Sequence, residues 1–270
     1  MEIVKVTPHV TALVTPVPIP GLGVLPINAF VIKTAGGVIL VDTCLTQPAG
    51  EFLAGVGGVI DPTDIKWIWL THPDRDHTGG LLEILDAAPD ARLMTSFASI
   101  GHIGCGPEPV PPDRVHLVTP GEQHLLGDTQ VIAFRPPLYD NPGTVGFFEP
   151  TTRTLVTSDC FGAPQSSMQD ALVPDVAVVP DEQITMGQMM WGSTDSPWVH
   201  SVDPGRFAVS LNEVRTFDPV LTLGTHIPPI HGDISKHLDT LSKLPDSPPA
   251  PGLDQASLEA LLAEMQPPSE

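Results

Sequence analysis

Residues 69–80 read WLTHPDRDHTGG, and the six positions from His72 to His77 hold two histidines, two aspartates and an arginine. The run follows KWIWLT (66–71), whose composition is that of a short buried strand. Only 16% of the chain is charged, so this concentration at a strand end asks for a chemical reason. Side chains entering a loop from the end of a buried strand can converge, and histidine and carboxylate are common ligands of divalent metals. Adjacent Asp76 and His77 point differently from His72 and Asp74, so two neighbouring metals are the natural reading. His72 and Asp74 then serve one ion, and Asp76 and His77 the other. Taken alone, the cluster would also fit a solvated polar turn.

Three later stretches weaken that blander account. PPLYDNPGT offers Asp140, LVTSDC offers Asp159, and LTLGTHIPP offers His226, each at the end of a candidate strand. Any one of them reads as a cap or turn former, but together with the 72–77 run they form a constellation. Upstream, NAFVIKTAGGVILVDT (28–43) predicts two strands joined at Gly36-Gly37, with Asp42 as a lone carboxylate just past the second. HTGGLLEILDAAPD (77–90) has leucines at helical spacing and a stop at Pro89, and ARLMTS is a further strand. In the second half, QHLLGDTQVIAFRPP (123–137) and GTVGFFEPTTRTLVTSD (143–159) predict hairpins. DPGRFAVSLNEVRTF (203–217) predicts a helix opened by Asp203 as N-cap and Pro204 as first residue, followed by the strand PVLTLGT. Two halves of hairpins, inner strands and helices imply an α/β sandwich of sheets covered by helices.

Composition bounds the partners. At 270 residues and 41% hydrophobic content the chain has material for a large α/β domain. Its formal charge of −20 repels phosphate backbones and anionic headgroups, so neither nucleic acid nor membrane is an expected partner. The first residues lack a secretory pattern and no apolar run approaches the roughly 18 residues of a membrane span, which makes the expected location cytoplasmic. Cys44, Cys105 and Cys160 form neither an even set nor a CxxC spacing and are expected to be buried small hydrophobes. From Pro245, PDSPPAPG reads as a linker and LDQASLEALLAEMQ as an amphipathic helix, expected to dock or to form a homodimer. The expected division is therefore a domain over 1–243 and a linker with helix over 244–270.

With Thr71-His72-Pro-Asp74-Arg-Asp76-His77 and the later Asp140, Asp159 and His226 in view, the sequence resembles the metallo-β-lactamase superfamily, whose loop reads T-H-x-H-x-D-H. The resemblance implies a four-layer αβ/βα sandwich. It assigns His72, Asp74 and Asp140 to one metal, Asp76, His77 and His226 to a second, Asp159 as their bridge, and Asp42 as a buried carboxylate orienting the loop. Zinc hydrolases of the superfamily carry histidine where this chain has Asp74 and Asp140. An acidic residue at position 74 is similar instead to flavodiiron and other oxygen-binding di-iron proteins. Intervals of 63 residues from His77 to Asp140 and 19 to Asp159 also resemble theirs. Carboxylates at both positions resemble the di-iron β-hydroxylase of chloramphenicol biosynthesis.

A charge count points the same way, because four aspartates neutralise two divalent ions, and a neutral centre is a weak activator of water. Hard oxygen donors favour iron or manganese over zinc. The expected cofactors are therefore two metal ions, iron first, with zinc or manganese as alternatives. No flavin is expected, since no phosphate-cradling glycine loop follows a strand. The expected function is an oxygen-activating or oxygen-binding oxidoreductase taking electrons from a separate donor or its substrate. A dinuclear zinc hydrolase of esters, thioesters or lactones and a non-catalytic oxygen or redox sensor are the alternatives. Tyr139 could hydrogen-bond near the metals, although a packed strand-end aromatic is the simpler reading. Segment 181–205 is expected to build a loop pocket from Trp191 and Trp198, with His200 as a proton donor. Arg75 is expected to brace a carboxylate, and His231 to cap a helix or support a metal ligand.

Overall fold

The computed structural model describes residues 1–48, 50–106, 110–252 and 254–265. Its first sheet has seven strands in chain order: β1 (Glu2–Lys5), β2 (Val10–Ile19), β3 (Gly23–Thr34), β4 (Gly37–Val41), β5 (Ile65–Trp69), β6 (Arg92–Thr95) and β7 (Val115–Leu117). The first four pair antiparallel and β4 through β7 pair parallel. Helices α1 (Glu51–Gly57), α2 (Arg75–Thr78), α3 (Leu81–Ala87) and α4 (Phe97–Ile103) lie in the crossovers. The second sheet has β8 (Gln123–Leu126), β9 (Thr129–Phe134), β10 (Gly146–Glu149), β11 (Thr154–Val156), β12 (Leu221–Leu223) and β13 (Ile230–His231), side by side in that order. In the chain, helices α5 (Met168–Ala171), α6 (Asp181–Asp195) and α7 (Pro204–Thr216) lie between β11 and β12, and α8 (Ser235–Leu241) and α9 (Gln255–Met265) follow β13.

Alternation along the strands builds three apolar layers. On β4, Val38 and Leu40 pack outward with Phe52 of α1 and Leu81, Ile84 and Leu85 of α3, while Ile39 and Val41 face inward. On β10, Phe147 joins that inner layer, and Phe148 packs with Ile184 of α6, Phe207 and Leu211 of α7 and Leu238 of α8. Two sheets face each other across one core and each carries helices over its outer side, the four-layer αβ/βα sandwich that the sequence predicts.

The predicted hairpins are observed, the first turning at Ala35-Gly36 because Gly37 already pairs with Thr34, and so is the α7 start, with Asp203 accepting from the Arg206 N–H at 2.9 Å. Two elements differ from expectation. The helix expected over 77–90 is split into α2 and α3, because the Gly79 and Gly80 N–H groups bond the Cys44 and Thr43 carbonyls. A Cβ on Gly79 would meet the Leu45 carbonyl carbon at 2.0 Å, and one on Gly80 the Phe52 ring at 2.4 Å. The segment expected as pocket loops is largely the 15-residue helix α6. Cys44 and Cys160 are buried as expected, but Cys105 is exposed, just past the end of α4. Among the described residues, no helix is long and apolar enough to cross a membrane. In the tail, Leu258 and Leu262 of α9 are exposed, and residues 266–270 of the expected linker-and-helix segment lie outside the described residues.

Candidate metal centre

The strand ends of both sheets meet at one place. Asp42 follows β4, His72 to His77 follow β5, Asp140 lies beyond β9, Asp159 follows β11 and His226 follows β12. Contacts between the sheets hold these ends together. Trp69 Nε1 donates to the Val145 carbonyl at 3.0 Å, and Val145 N–H to the Thr71 carbonyl at 2.8 Å. Asn28 donates through its backbone to Thr225 and through Nδ2 to the Gly224 and Ile227 carbonyls at 3.0 and 2.8 Å.

Seven side chains converge there in two sets. His72 Nε2 stands 3.9 Å from Asp74 Oδ2, 3.7 Å from Asp140 Oδ1 and 3.5 Å from Asp159 Oδ2. His77 Nε2 stands 3.4 Å from Asp76 Oδ2 and 3.3 Å from Asp159 Oδ1. His226 Nε2 lies 3.2 Å from Asp76 Oδ2 and 3.4 Å from Asp159 Oδ1. Each oxygen of Asp159 thus faces a different set. Two donors about 2.1 Å from a common ion, at angles of about 90–109°, stand roughly 3.0–3.4 Å apart, which is the spacing found at the tighter set and slightly exceeded at the other. The Nε2 atoms of His72 and His77 are buried and have no hydrogen-bond partner among the described residues, a costly arrangement unless a cation takes up the lone pairs.

The opposite ring nitrogens are all engaged. Thr71 Oγ1 donates to Asp42 Oδ2 at 2.8 Å and Ser158 Oγ donates to Thr71 Oγ1 at 3.0 Å. That leaves His72 Nδ1–H to donate to Ser158 Oγ at 3.1 Å. His77 Nδ1–H donates to Asp42 Oδ2 at 2.9 Å and His226 Nδ1–H to the Pro26 carbonyl at 3.0 Å. The network therefore selects the tautomer that directs each Nε2 lone pair inward. Asp42 and Ser158 hold left-handed backbone, at φ 55° and 53°, conformations that cost energy in non-glycine residues and cluster at functional sites.

Carboxylates dominate the electrostatics. Burial alone would lower the His77 value, but the Asp159 and Asp42 carboxylates raise it well above the ordinary histidine range. Burial works against His226 too, and Asp159 and Asp76 raise it. His72 is lowered, first by burial and then by neighbouring His77. Burial, Asp159 and Asp74 push the Asp140 carboxyl up to about 7. Side-chain exposure is 39% at Asp74, 26% at Asp76 and 21% at Asp140 against 4% at Asp159, so the centre meets solvent at its three loop aspartates, most of all at Asp74.

Other expected residues fall elsewhere. Tyr139 turns its ring onto Trp198, with centroids 4.9 Å apart, beneath the Arg135 guanidinium, the packed reading. His200, on a short 3-10 turn (Pro197–Ser201) after α6, is tied back to that helix by a 2.7 Å bond between its Nε2 and Ser193 Oγ and touches no member of the cluster among the described contacts. Arg75 is exposed at the start of α2 and braces no carboxylate among the described residues. His231 lies in β13 against the Pro174 carbonyl rather than at a helix cap or beside a metal ligand. Trp191 does reach the centre, its ring 5.0 Å from that of His226. Two participants escaped sequence reasoning. Asn141 Nδ2 donates to Asp74 Oδ1 at 2.9 Å, a role its adjacency to Asp140 could have suggested. Asp195 comes within 4.8 Å of the Asp140 and Asp159 donors, and burial with those two carboxylates pushes it up to about 8; no local signal marks it.

A family model for the metallo-beta-lactamase superfamily matches residues 22–251. Type A flavoprotein fprA of Rhodobacter capsulatus is 31% identical over 147 residues, covering 50% of this chain and 32% of that protein. Anaerobic nitric oxide reductase flavorubredoxin of Salmonella typhi is 27% identical over 136 residues, covering 50% and 28%. Among solved structures, rubredoxin oxygen:oxidoreductase from Desulfovibrio gigas superposes with a TM-score of 0.73 at 18% identity, covering 91% of this chain and 61% of that one. The matches thus span about a third of the length of those curated relatives.

Proposed function

The chain belongs to the metallo-beta-lactamase superfamily, and from that premise we propose that it is a two-metal oxidoreductase, loaded with iron, that reduces or activates a small molecule such as dioxygen or nitric oxide. The observation that carries this reading is the carboxylate-rich double donor set: Asp159 divides its oxygens between two groups of histidine and aspartate, and four aspartates match the charge of two divalent ions. The named functions of the flavorubredoxin and of the rubredoxin oxygen:oxidoreductase support the redox class. His72, Asp74 and Asp140 would hold one ion and Asp76, His77 and His226 the other, with Asp159 between them. Two irons, when bound, supply one-electron redox chemistry and Lewis acidity.

The protein's own groups do the rest. Asp42, Ser158 and the Pro26 carbonyl fix the three imidazoles with lone pairs inward, so little reorganisation is needed on loading. Asn141 steadies Asp74 at the open side, where a small reactant enters. The indole of Trp191 walls the His226 side against bulk water. Electrons would reach the centre from a donor outside the metal-binding domain or from the reactant itself.

The test is elemental analysis of protein produced with iron and zinc both available, followed by oxygen and nitric oxide consumption under a chemical reductant. About two irons per chain and reductant-dependent consumption are expected. In Asp74→His and Asp140→His variants the content should move toward zinc. Two zincs, no iron and turnover of esters or thioesters would replace this reading with the hydrolase, and iron without turnover would replace it with a sensor.

A further inference from the structure

Helix α6 delivers a carboxylate to the centre that lies outside both donor sets. Gln188, Trp191, Gly192 and Asp195 share one face of this helix by their spacing of three and four residues, and together with Asp159 and Phe161 they line a small cleft. Donor oxygens of Asp140, Asp159 and Asp195 all lie within 4.8 Å of one another. Two of these three, Asp140 and Asp159, also face His72 Nε2, at 3.7 and 3.5 Å, and that nitrogen is fully buried with no hydrogen-bond partner among the described residues. That orphaned lone pair points to a cation rather than to a proton-sharing arrangement of acids.

Resting on the two-metal reading above, we propose that Asp195 is an additional oxygen donor to the ion held by His72, Asp74, Asp140 and Asp159. Nothing else in its surroundings accounts for an aspartate here. It makes no hydrogen bond or ion pair among the described residues, it faces two other carboxylates, and it ends a 15-residue helix with no basic residue in its last turn. A negative charge at a helix C-terminus opposes the macrodipole, and three mutually facing carboxylates repel unless a cation sits among them. A fifth aspartate takes the formal charge of the donors from −4 to −5, which keeps the centre neutral when one of two divalent ions is oxidised to the trivalent state. The donor set around His72 therefore selects for hard, highly charged cations.

The test uses the metal-free full chain, titrated anaerobically with Mn(II) by calorimetry in the wild type and in Asp195→Asn, Asp195→Ser and Asp195→Glu. Two sites are expected in the wild type. In the Asn and Ser variants one affinity should fall about tenfold or more while the other stays within twofold, and Glu should recover part of the loss. The metal-free Asn variant should melt at or above the wild-type temperature, because a repelling carboxylate has been removed. In crystals of the Mn-loaded wild type, an Asp195 oxygen should lie within about 2.6 Å of an ion, a measurement that stands even if a variant folds poorly. Two unchanged affinities in a folded variant, or an Asp195 oxygen well beyond that distance, would overturn the inference and leave the two-metal reading intact. A wild type that takes up no ion would overturn both.

Discussion

Asp42 has no solvent exposure, and its two oxygens accept from Thr71 N–H, Thr71 Oγ1 and His77 Nδ1. An asparagine in its place fills the same volume but carries an amide NH2 where one of those donors points, and it removes the charge that supports His77. Asp42→Asn should therefore weaken metal binding by about 10–100-fold with little loss of secondary structure, as read by metal titration beside circular dichroism. The thiols are sorted by burial in the same way. Desolvation pushes both Cys44 and Cys160 up to about 12, while Cys105 is exposed. A thiol reagent at neutral pH should label one cysteine in the native chain and all three after denaturation, and Cys105→Ser should abolish the native reaction.

Helix α8 supports α6 from beneath through a buried pair. His237 is 2% exposed, its Nδ1 lies 3.0 Å from Gln188 Nε2, and burial lowers its value to about 4. As pH falls below about 6.5 the unfolded chain takes up a proton here that the folded chain refuses until about pH 4. Stability present above pH 6.5 is therefore lost progressively down to pH 4, by on the order of 3 kcal/mol. Urea denaturation at pH 7 and 4.5 should show a smaller acid loss in His237→Gln than in the wild type, the difference being roughly 2–3 kcal/mol. Much at this scale is legible in sequence. The Asp203-Pro204 start of α7 and the glycine-marked turn after β3 are local signals, and the structure has both, the turn one residue earlier than expected at Ala35-Gly36. The split of α2 from α3 is not legible, because it arises from Gly79 and Gly80 packing on Leu45 and Phe52, which are distant in the chain.

At the scale of the whole molecule the centre exists because two sheets are pinned at one edge. Asn28 of β3 satisfies the Gly224 and Ile227 carbonyls on either side of His226. Asn28→Ala leaves both carbonyls buried and unpaired, a loss of about 2–4 kcal/mol that denaturant titration would measure. The same variant should lose affinity chiefly at the ion shared by Asp76, His77 and His226, since it frees the strand end that carries one of these ligands.

By itself the sequence determined which chemical groups stand at the strand ends, HPDRDH after β5 and Asp140, Asp159 and His226 later, because residue type and the two-residue period of a buried strand are local properties. Only the tertiary structure decided that Asp159 turns one oxygen to each donor set, that Asn141 rather than Arg75 steadies Asp74, and that Asp195 rather than His200 reaches the centre from α6. Those outcomes depend on distances of a few ångströms between residues far apart in the chain, and such distances are set by how the sheets and helices pack.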